Sequence, residues 1–193
     1  MAAMAKTLLT IGLACGLLGV AAALAPLSRE PSGHGAAVSA SLRPVWTEVQ
    51  WPFALDPWGK GKAFRCKSAD CGTEVNLYLR AKLGSCNCMT GVAEDADLDR
   101  MGDLYLVGGD VAPLGQGNPI RIGRMNGRSR AYALTGRNPA GSSALSLAFS
   151  DRCDMVVATI VLPDERPGPI EPAAIDFLNS RPMLDWAEVA LGM

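Results

Sequence analysis

The sequence predicts an α+β domain built on an antiparallel sheet with C-terminal helices, preceded by an N-terminal signal or anchor helix. Three observations predict this fold class. Apolar and polar residues alternate over Thr73–Leu83, Asn126-Gly127 separates two strand-like segments, and two segments near the end of the chain each carry proline at a first helical position. Strands in the early and central chain followed by helices are the order of an α+β domain.

The N-terminal segment has the pattern of an export signal. Lys6 precedes nineteen uncharged residues, Thr7–Ala25, and Arg29 follows them. This run exceeds the usual apolar core of a signal peptide and approaches the ~20 residues that span a bilayer. Residues 1–25 are therefore predicted to be a signal peptide or a transmembrane anchor. Pro26 directly follows one small-residue cleavage site, so cleavage stays open.

Composition divides the remainder into a tether and a domain. Residues 26–44 are rich in Pro, Ser, Gly and Ala, which predicts a flexible tether, and residues 45–193 are predicted to form a single globular domain. His34 lies on the tether and is interpreted as a solvated residue, because a metal site needs several ligands. The formal net charge of -1 argues against a nucleic-acid binder.

Two strands and a helix are predicted in the first half of the domain. Val45–Trp51 alternates as a short strand among aromatic residues. Thr73–Leu83 is the clearest strand, with apolar residues on one face and polar residues, among them Arg80 and Lys82, on the other. Glu94–Met101 is predicted to be a short helix with acidic residues in its first turn, where the helix dipole favours them.

Two hairpins are predicted in the centre of the domain. Asn126-Gly127 is the expected turn between the strands Ile120–Met125 and Arg128–Leu134. Ser143–Ser150 and Cys153–Leu162 form the second hairpin. Its second strand is nearly all apolar, which predicts a central position with both faces covered.

The domain is predicted to end in two helices, Pro172–Asn179 and Pro182–Leu191. Ser180 is a candidate N-cap for the second helix. Leu184, Val189 and Leu191 are expected on its buried side.

Five of the six cysteines lie in the predicted domain: Cys66, Cys71, Cys86, Cys88 and Cys153. The first interpretation is structural disulfides, with the odd cysteine left over; the pattern suits an oxidising compartment outside the cytoplasm. The two residues of Cys-x-Cys are poorly placed to bridge each other, so each is expected to have a more distant partner.

Two other interpretations of the cysteines stay open. The thiolates of Cys86 and Cys88 with the thioether of Met89 are ligands suited to Cu(I). We expect no cofactor, and copper is the alternative. The third interpretation is thiol–disulfide exchange, although the chain has no Cys-x-x-Cys motif.

Four arginines suggest a basic patch on the central hairpin: Arg121, Arg124, Arg128 and Arg130. Such a patch could dock on anionic lipid headgroups or on an acidic protein partner, and the alternative is an ordinary solvated face. The chain has no Gly-x-Ser-x-Gly elbow, no phosphate-binding glycine loop and no dinucleotide fingerprint, so a non-enzymatic role is expected.

Three segments carry a resemblance to a known group of proteins: Trp51–Val92, Met125–Tyr132 and Ser150–Asp154. They are similar to small uncharacterised exported proteins of alphaproteobacteria, over most of the chain after its N-terminal segment. The resemblance implies a bacterial envelope setting and provides no catalytic residue to transfer.

The expected function is that of an exported, disulfide-stabilised envelope protein that binds a partner. Its domain would lie in the periplasm, or on the periplasmic side of the inner membrane if the N-terminal helix is uncleaved and holds it there. The alternative is a Cu(I)-binding or thiol-redox protein that uses Cys66, Cys71, Cys86 and Cys88.

Overall fold

The computed structural model describes residues 44–54, 58–135, 142–163 and 170–193, which belong to one compact unit. The predicted signal or anchor segment and nearly all of the predicted tether, with His34, lie outside the described residues. None of the helices formed by the described residues has the length and hydrophobicity that a membrane span requires.

The described residues form eight strands and five helices. The strands are β1 (Trp46–Val49), β2 (Lys62–Cys66), β3 (Val75–Lys82), β4 (Asp110–Pro113), β5 (Asn118–Ile122), β6 (Met125–Thr135), β7 (Ser143–Asp151) and β8 (Asp154–Leu162). The helices are α1 (Ser68–Cys71), α2 (Asp95–Met101), α3 (Leu104–Val107), α4 (Ile170–Leu178) and α5 (Arg181–Ala190).

All eight strands belong to one antiparallel sheet in the order β1-β2-β3-β8-β7-β6-β4, with β5 beside β6. The predicted antiparallel sheet with C-terminal helices is confirmed. β7 and β8 lie between β6 and β3 and are buried along nearly their whole length. Their continuous apolar sequence therefore reflects a central position with cover on both faces.

The first face of the sheet is covered by α4 and α5. Leu77, Leu147 and Ile160 of the sheet belong to the same buried cluster as Ala174 and Leu178 of α4. The predicted helices near the C-terminus thus supply the apolar stripe that closes the main core.

The buried side of α5 differs from the prediction at one position. Met183, Ala187 and Leu191 are buried at four-residue spacing, whereas Val189 is 81% exposed. Successive residues of a helix turn by about a quarter of a circle or more, so Val189 points away from the side that carries Ala187 and Leu191. The assignment of Val189 to the buried side was wrong.

The central hairpin also differs from the prediction. The turn lies at Gly123-Arg124, because β5 and β6 close on the pair Ile122 and Met125, and Gly123 has a φ of 56°. Gly127 is instead inside β6, where a Cβ would lie 2.0 Å from the Ala148 carbonyl oxygen. A glycine is needed at this position because the neighbouring backbone of β7 approaches it closely, and not because the chain turns here.

The second face of the sheet is covered by α2 and α3. Val92 and Leu98 pack on Met155 and Val157 of β8, and Leu104 packs on Tyr132 of β6. α2 starts with a capping box between Glu94 and Asp97, which confirms the predicted helix at this position. This second layer brings together the polar residues described next.

Candidate functional site

A network of charges joins α2 to β6. Arg128 pairs with the Asp95 carboxylate and donates to the Gly117 carbonyl at 3.0 Å. Arg130 pairs with Asp99 through Nη1 and Oδ2 at 2.7 Å. Hydrogen bonds from Arg128 and Gly117 hold the pKa of the Asp95 carboxyl below its usual value. The network fixes the position of α2 over the sheet.

Tyr132 continues this network into the core. Its hydroxyl donates to Asp99 Oδ1 at 2.6 Å, and only 2% of the residue is exposed. Burial, together with the bond to the Asp99 carboxylate, raises the pKa of the Tyr132 phenol far above its usual value. The side chain is therefore a neutral donor that orients Asp99.

A buried ionic cluster lies on the second face of β3. Lys82 Nζ is 2.7 Å from Asp103 Oδ1, and Arg80 Nε is 3.6 Å from Asp103 Oδ2. No side chain of the three is more than 5% exposed. Lys82 also donates to the Met101 carbonyl at 2.8 Å. Because isolated charges are costly to bury, these contacts make the cluster dependent on all its members.

Three aromatic rings surround the two cations of this cluster. The Arg80 guanidinium lies 5.1 Å from the Trp51 ring centre, and Lys82 Nζ lies 5.4 Å and 6.0 Å from those of Trp58 and Tyr105. Arg80 also donates to the Tyr105 hydroxyl at 3.0 Å. Cation–π contacts of this kind add to the ion pairs and hold the rings in place.

A pocket of about 300 Å³ opens beside Tyr105, between α2, α3 and the start of β4. Its lining comprises apolar side chains, charged side chains and glycines: Leu104, Tyr105, Val111, Asp99, Arg100, Gly102 and Gly109. Asp99 is held by Tyr132, and Tyr105 is held by Arg80. Two of the lining residues are thus fixed by buried partners before anything binds.

Two buried hydroxyls lie on the same face of the sheet as the ionic cluster. Ser146 of β7 and Thr159 of β8 are cross-strand partners, and both are fully buried. Neither hydroxyl oxygen has a hydrogen-bond partner within the described ranges. Such a pair commonly shares a buried water, and we assign it no other role.

Four of the five domain cysteines form two disulfides, Cys66–Cys71 and Cys88–Cys153, and Cys86 is free. The structural-disulfide interpretation is therefore confirmed, including the distant partner expected for Cys88. The distant partner expected for Cys86 was wrong, because its thiol is the odd one and is free. Burial raises its pKa above the usual range, and the nearby Asp154 carboxylate adds to this effect.

The copper hypothesis requires a different state of these cysteines. Cys88 Sγ is bonded to Cys153, so a site built from Cys86, Cys88 and Met89 would need that bond reduced. The Met89 side chain is 95% exposed. Within the described parts of the chain, no cluster of three or more His, Cys, Asp or Glu side chains could hold a metal ion.

The four arginines of the predicted basic patch separate into two pairs. Arg128 and Arg130 are engaged with the acidic residues of α2. Arg121 and Arg124 are exposed beside the β5–β6 turn, where Arg121 donates to the Gly123 carbonyl at 3.3 Å. Docking on lipid or an acidic partner stays a prediction, and only Arg121 and Arg124 present exposed guanidinium groups for it.

Asp103, Tyr105 and the pocket itself were not found by sequence reasoning. Asp103 and Tyr105 follow the predicted helix in a Gly-Asp-Leu-Tyr segment without recognisable motif. One signal was present, because Arg80 and Lys82 occupy successive same-face positions of a strand in a largely apolar chain. If that face of the strand is covered, these two buried cations need an acidic partner, because buried charges are costly unless they are paired.

The fold and the site define an α+β domain with two disulfides and a pocket on its second face. No family model and no curated protein matches the chain. A solved structure it is similar to is that of PA94 from Pseudomonas aeruginosa, described as a protein of unknown function and a suggested regulator. The identity is 12%, the TM-score is 0.41, and the match covers 70% of this chain and 94% of that one. At this TM-score the similarity supports no statement about function.

Proposed function

We propose that this is an exported, disulfide-stabilised protein of the cell envelope that binds a protein partner through the pocket beside Tyr105. The observation that carries the proposal is the pocket of about 300 Å³, in which the lining residues Asp99 and Tyr105 accept hydrogen bonds from the buried side chains of Tyr132 and Arg80. A pocket held in this way loses little conformational freedom on binding, which favours affinity.

The size of the pocket and the exposed residues near it support a protein ligand. Its volume is at the low end of the range for small-molecule sites and suits one anchoring side chain. Tyr105 and Val111 line the pocket and are 59% and 40% exposed. A pocket whose lining combines apolar side chains with charged ones suits a protein ligand, because protein interfaces pair apolar contacts with polar ones.

The two disulfides support the setting outside the cytoplasm. Disulfides persist in the bacterial periplasm and are rare in the reducing cytosol. Together with the apolar N-terminal segment of the sequence, they favour export.

The proposed interface is tested by photo-crosslinking in the native cell envelope. A photoreactive phenylalanine analogue is placed at Tyr105 in one variant and at Val189 in a control, since Val189 is 81% exposed on α5. A discrete protein adduct at position 105, absent at 189 and lost when Val111→Asp is added, supports the proposal. The same adducts at both positions, or none at 105, contradict it.

The proposed location is tested on the same cells. Fractionation is combined with disulfide mapping of the intact chain. Recovery in the periplasmic or membrane fraction with Cys88–Cys153 oxidised is the expected result. Recovery in the cytosol with reduced thiols contradicts export.

A further inference from the structure

The two disulfides lie in different surroundings. Cys66 and Cys71 are both buried, with 0% and 4% exposure. Cys88 is exposed and Cys153 is half-buried. A buried disulfide is shielded from attack by thiols, whereas an exposed one is accessible to them. The Cys88–Cys153 bond is therefore the one available for exchange.

The free thiol of Cys86 lies directly beside this accessible disulfide. The Cys86 backbone N–H donates to the Cys153 carbonyl at 3.1 Å. The Cys86 thiol donates to the carbonyl of Arg152 at 3.4 Å, so its sulfur lies at the residue preceding Cys153. Arg152 and Cys153 form the turn between β7 and β8, so these two hydrogen bonds place the Cys86 thiol against the turn that carries Cys153.

A compact turn begins at Asn87, between Cys86 and Cys88, and ends at Gly91. The Asn87 side-chain oxygen accepts from the Met89 N–H at 2.9 Å, and its backbone carbonyl accepts from the Gly91 N–H at 2.7 Å. Val92 then anchors the chain by donating to Ser150 Oγ at 3.2 Å. Cys86 and Cys88 thus flank one residue of a short turn whose ends are both attached to the sheet.

We propose that Cys86 and Cys88 are alternative partners of Cys153, and that Cys153 passes between them by thiol–disulfide exchange. The Cys86 thiolate attacks Cys153 Sγ, the Cys86–Cys153 bond forms and the Cys88–Cys153 bond breaks. Cys88 leaves as a thiolate and takes up the proton that Cys86 lost. One disulfide and one thiol are present before and after, so the step needs no oxidant or reductant.

The exchange changes which thiol the surface presents. Before it, the free thiol is the half-buried Cys86; after it, the free thiol is Cys88 in the exposed part of the turn. The site therefore holds a latent surface thiol. Its thiolate can attack a disulfide of a partner, which forms a mixed disulfide and releases the other sulfur of the partner's disulfide as a thiol.

The experiment traps the free thiol of the unreduced full-length protein. The protein is incubated for hours at mildly alkaline pH with iodoacetamide, quenched in acid and digested without reduction. Mass spectrometry locates the label, with fragment ions to distinguish Cys86 from Cys88; Cys15 falls in a separate peptide. We expect at least as much label on Cys88 as on Cys86, and a Cys86–Cys153 cross-linked peptide in equal measure. Label confined to Cys86 with an intact Cys88–Cys153 peptide would overturn the proposal.

Two variants provide independent readouts. Cys86→Ser should show no label at any domain cysteine, because the exchanging thiol is gone. Cys88→Ser should contain a Cys86–Cys153 disulfide when it is purified without reductant. Two labelled thiols at Cys86 and Cys153 in that variant, with Cys66–Cys71 still formed, would equally overturn the proposal.

Discussion

The ammonium of Lys82 lies 2.7 Å from the carboxylate of Asp103, and neither side chain is more than 5% exposed. Lys82 is on β3, whereas Asp103 lies between α2 and α3. The pair therefore joins the helical cover of the second face to the sheet beneath it. It also supports Tyr105, whose ring lies near Lys82 Nζ and lines the pocket.

Asp103→Asn should be strongly destabilising. The substitution leaves Lys82 buried without its carboxylate, and breaking a buried ion pair in this way costs about 3–5 kcal/mol. Urea denaturation at pH 7 measures the loss. Asp185→Asn is the matched control, because Asp185 pairs with Arg181 on an exposed helix surface and such pairs are worth less than about 1 kcal/mol. Equal losses in the two variants would contradict this account of the cluster.

The two disulfides should contribute unequally to stability. Cys66–Cys71 spans 5 residues and Cys88–Cys153 spans 65. The entropy of loop closure then predicts that removing the first disulfide lowers the free energy of unfolding by about 2 kcal/mol and removing the second by about 4 kcal/mol. The difference arises because the longer cross-link restricts the unfolded chain more. Urea unfolding of the double variant Cys66→Ala/Cys71→Ala measures the contribution of the first disulfide, and urea unfolding of Cys153→Ser measures that of the second.

Cys88→Ser distinguishes this prediction from the exchange proposal. If Cys86 replaces Cys88 as the partner of Cys153, the free energy of unfolding of Cys88→Ser should exceed that of Cys153→Ser. The same loss in both variants would show that no substitute bond forms.

Gly127→Ala should destabilise the sheet by about 3 kcal/mol or more, since overpacking costs about 1–3 kcal/mol even where side chains can move. The added Cβ would lie 2.0 Å from the Ala148 carbonyl oxygen and 2.7 Å from Phe149 Cα, which are backbone atoms of β7. Thermal unfolding measures the change. Asn126→Ala, at the exposed neighbouring position, should change the melting temperature little. If the two substitutions had similar effects, the close approach of β6 and β7 at Gly127 would be refuted.

Asp95 should contribute to the acid sensitivity of the fold. Its folded-state pKa lies below the ordinary value of 3.8, so its contribution is present above that pH and is lost as pH falls through the folded value. Asp95→Asn should therefore be less stable than the wild type at pH 7, and the difference should shrink towards pH 2. Urea midpoints at several pH values test this, and a difference that stays constant with pH would count against it.

The rate of exchange at Cys86 should rise with pH. Burial raises the pKa of the Cys86 thiol, and a hydrogen bond with Ser150 lowers it. The carboxylates of Asp154 on β8 and Asp97 on α2 raise this pKa further. The reactive thiolate is therefore scarce at neutral pH and increases about tenfold per pH unit below the pKa. Trapping rates between pH 7 and pH 9 measure this slope.

Asp154→Asn should accelerate trapping at pH 7.5, because it removes one of the charges that raise the Cys86 pKa while keeping a side-chain oxygen to accept from the Gly84 N–H. Asp185→Asn, far along the chain on α5, is the control. A slower reaction in Asp154→Asn would reverse the assigned role of this carboxylate.

Patterns that depend on one buried face were predictable from the sequence. The alternation that identified β3 and the apolar run that identified β8 reflect sheet positions, and both strands were located within a few residues. The helix α2 was recognised by its acidic first turn. The position of the central turn could not be predicted from the sequence. The turn propensity of Asn126-Gly127 is a local property, whereas the close approach of β7 determines that Gly127 lies within β6.

The sequence by itself determined the antiparallel strands, the C-terminal helices and the supply of cysteines for disulfides, because these depend on local periodicity and residue type. Tertiary structure alone decided that Arg80 and Lys82 are buried against Asp103, that Cys88 pairs with Cys153, and that a pocket opens beside Tyr105. The ion pairs and the disulfide join segments well separated along the chain, and the pocket forms where α2, α3 and the start of β4 meet. No local pattern encodes these relationships, because they arise only when the elements pack against one another.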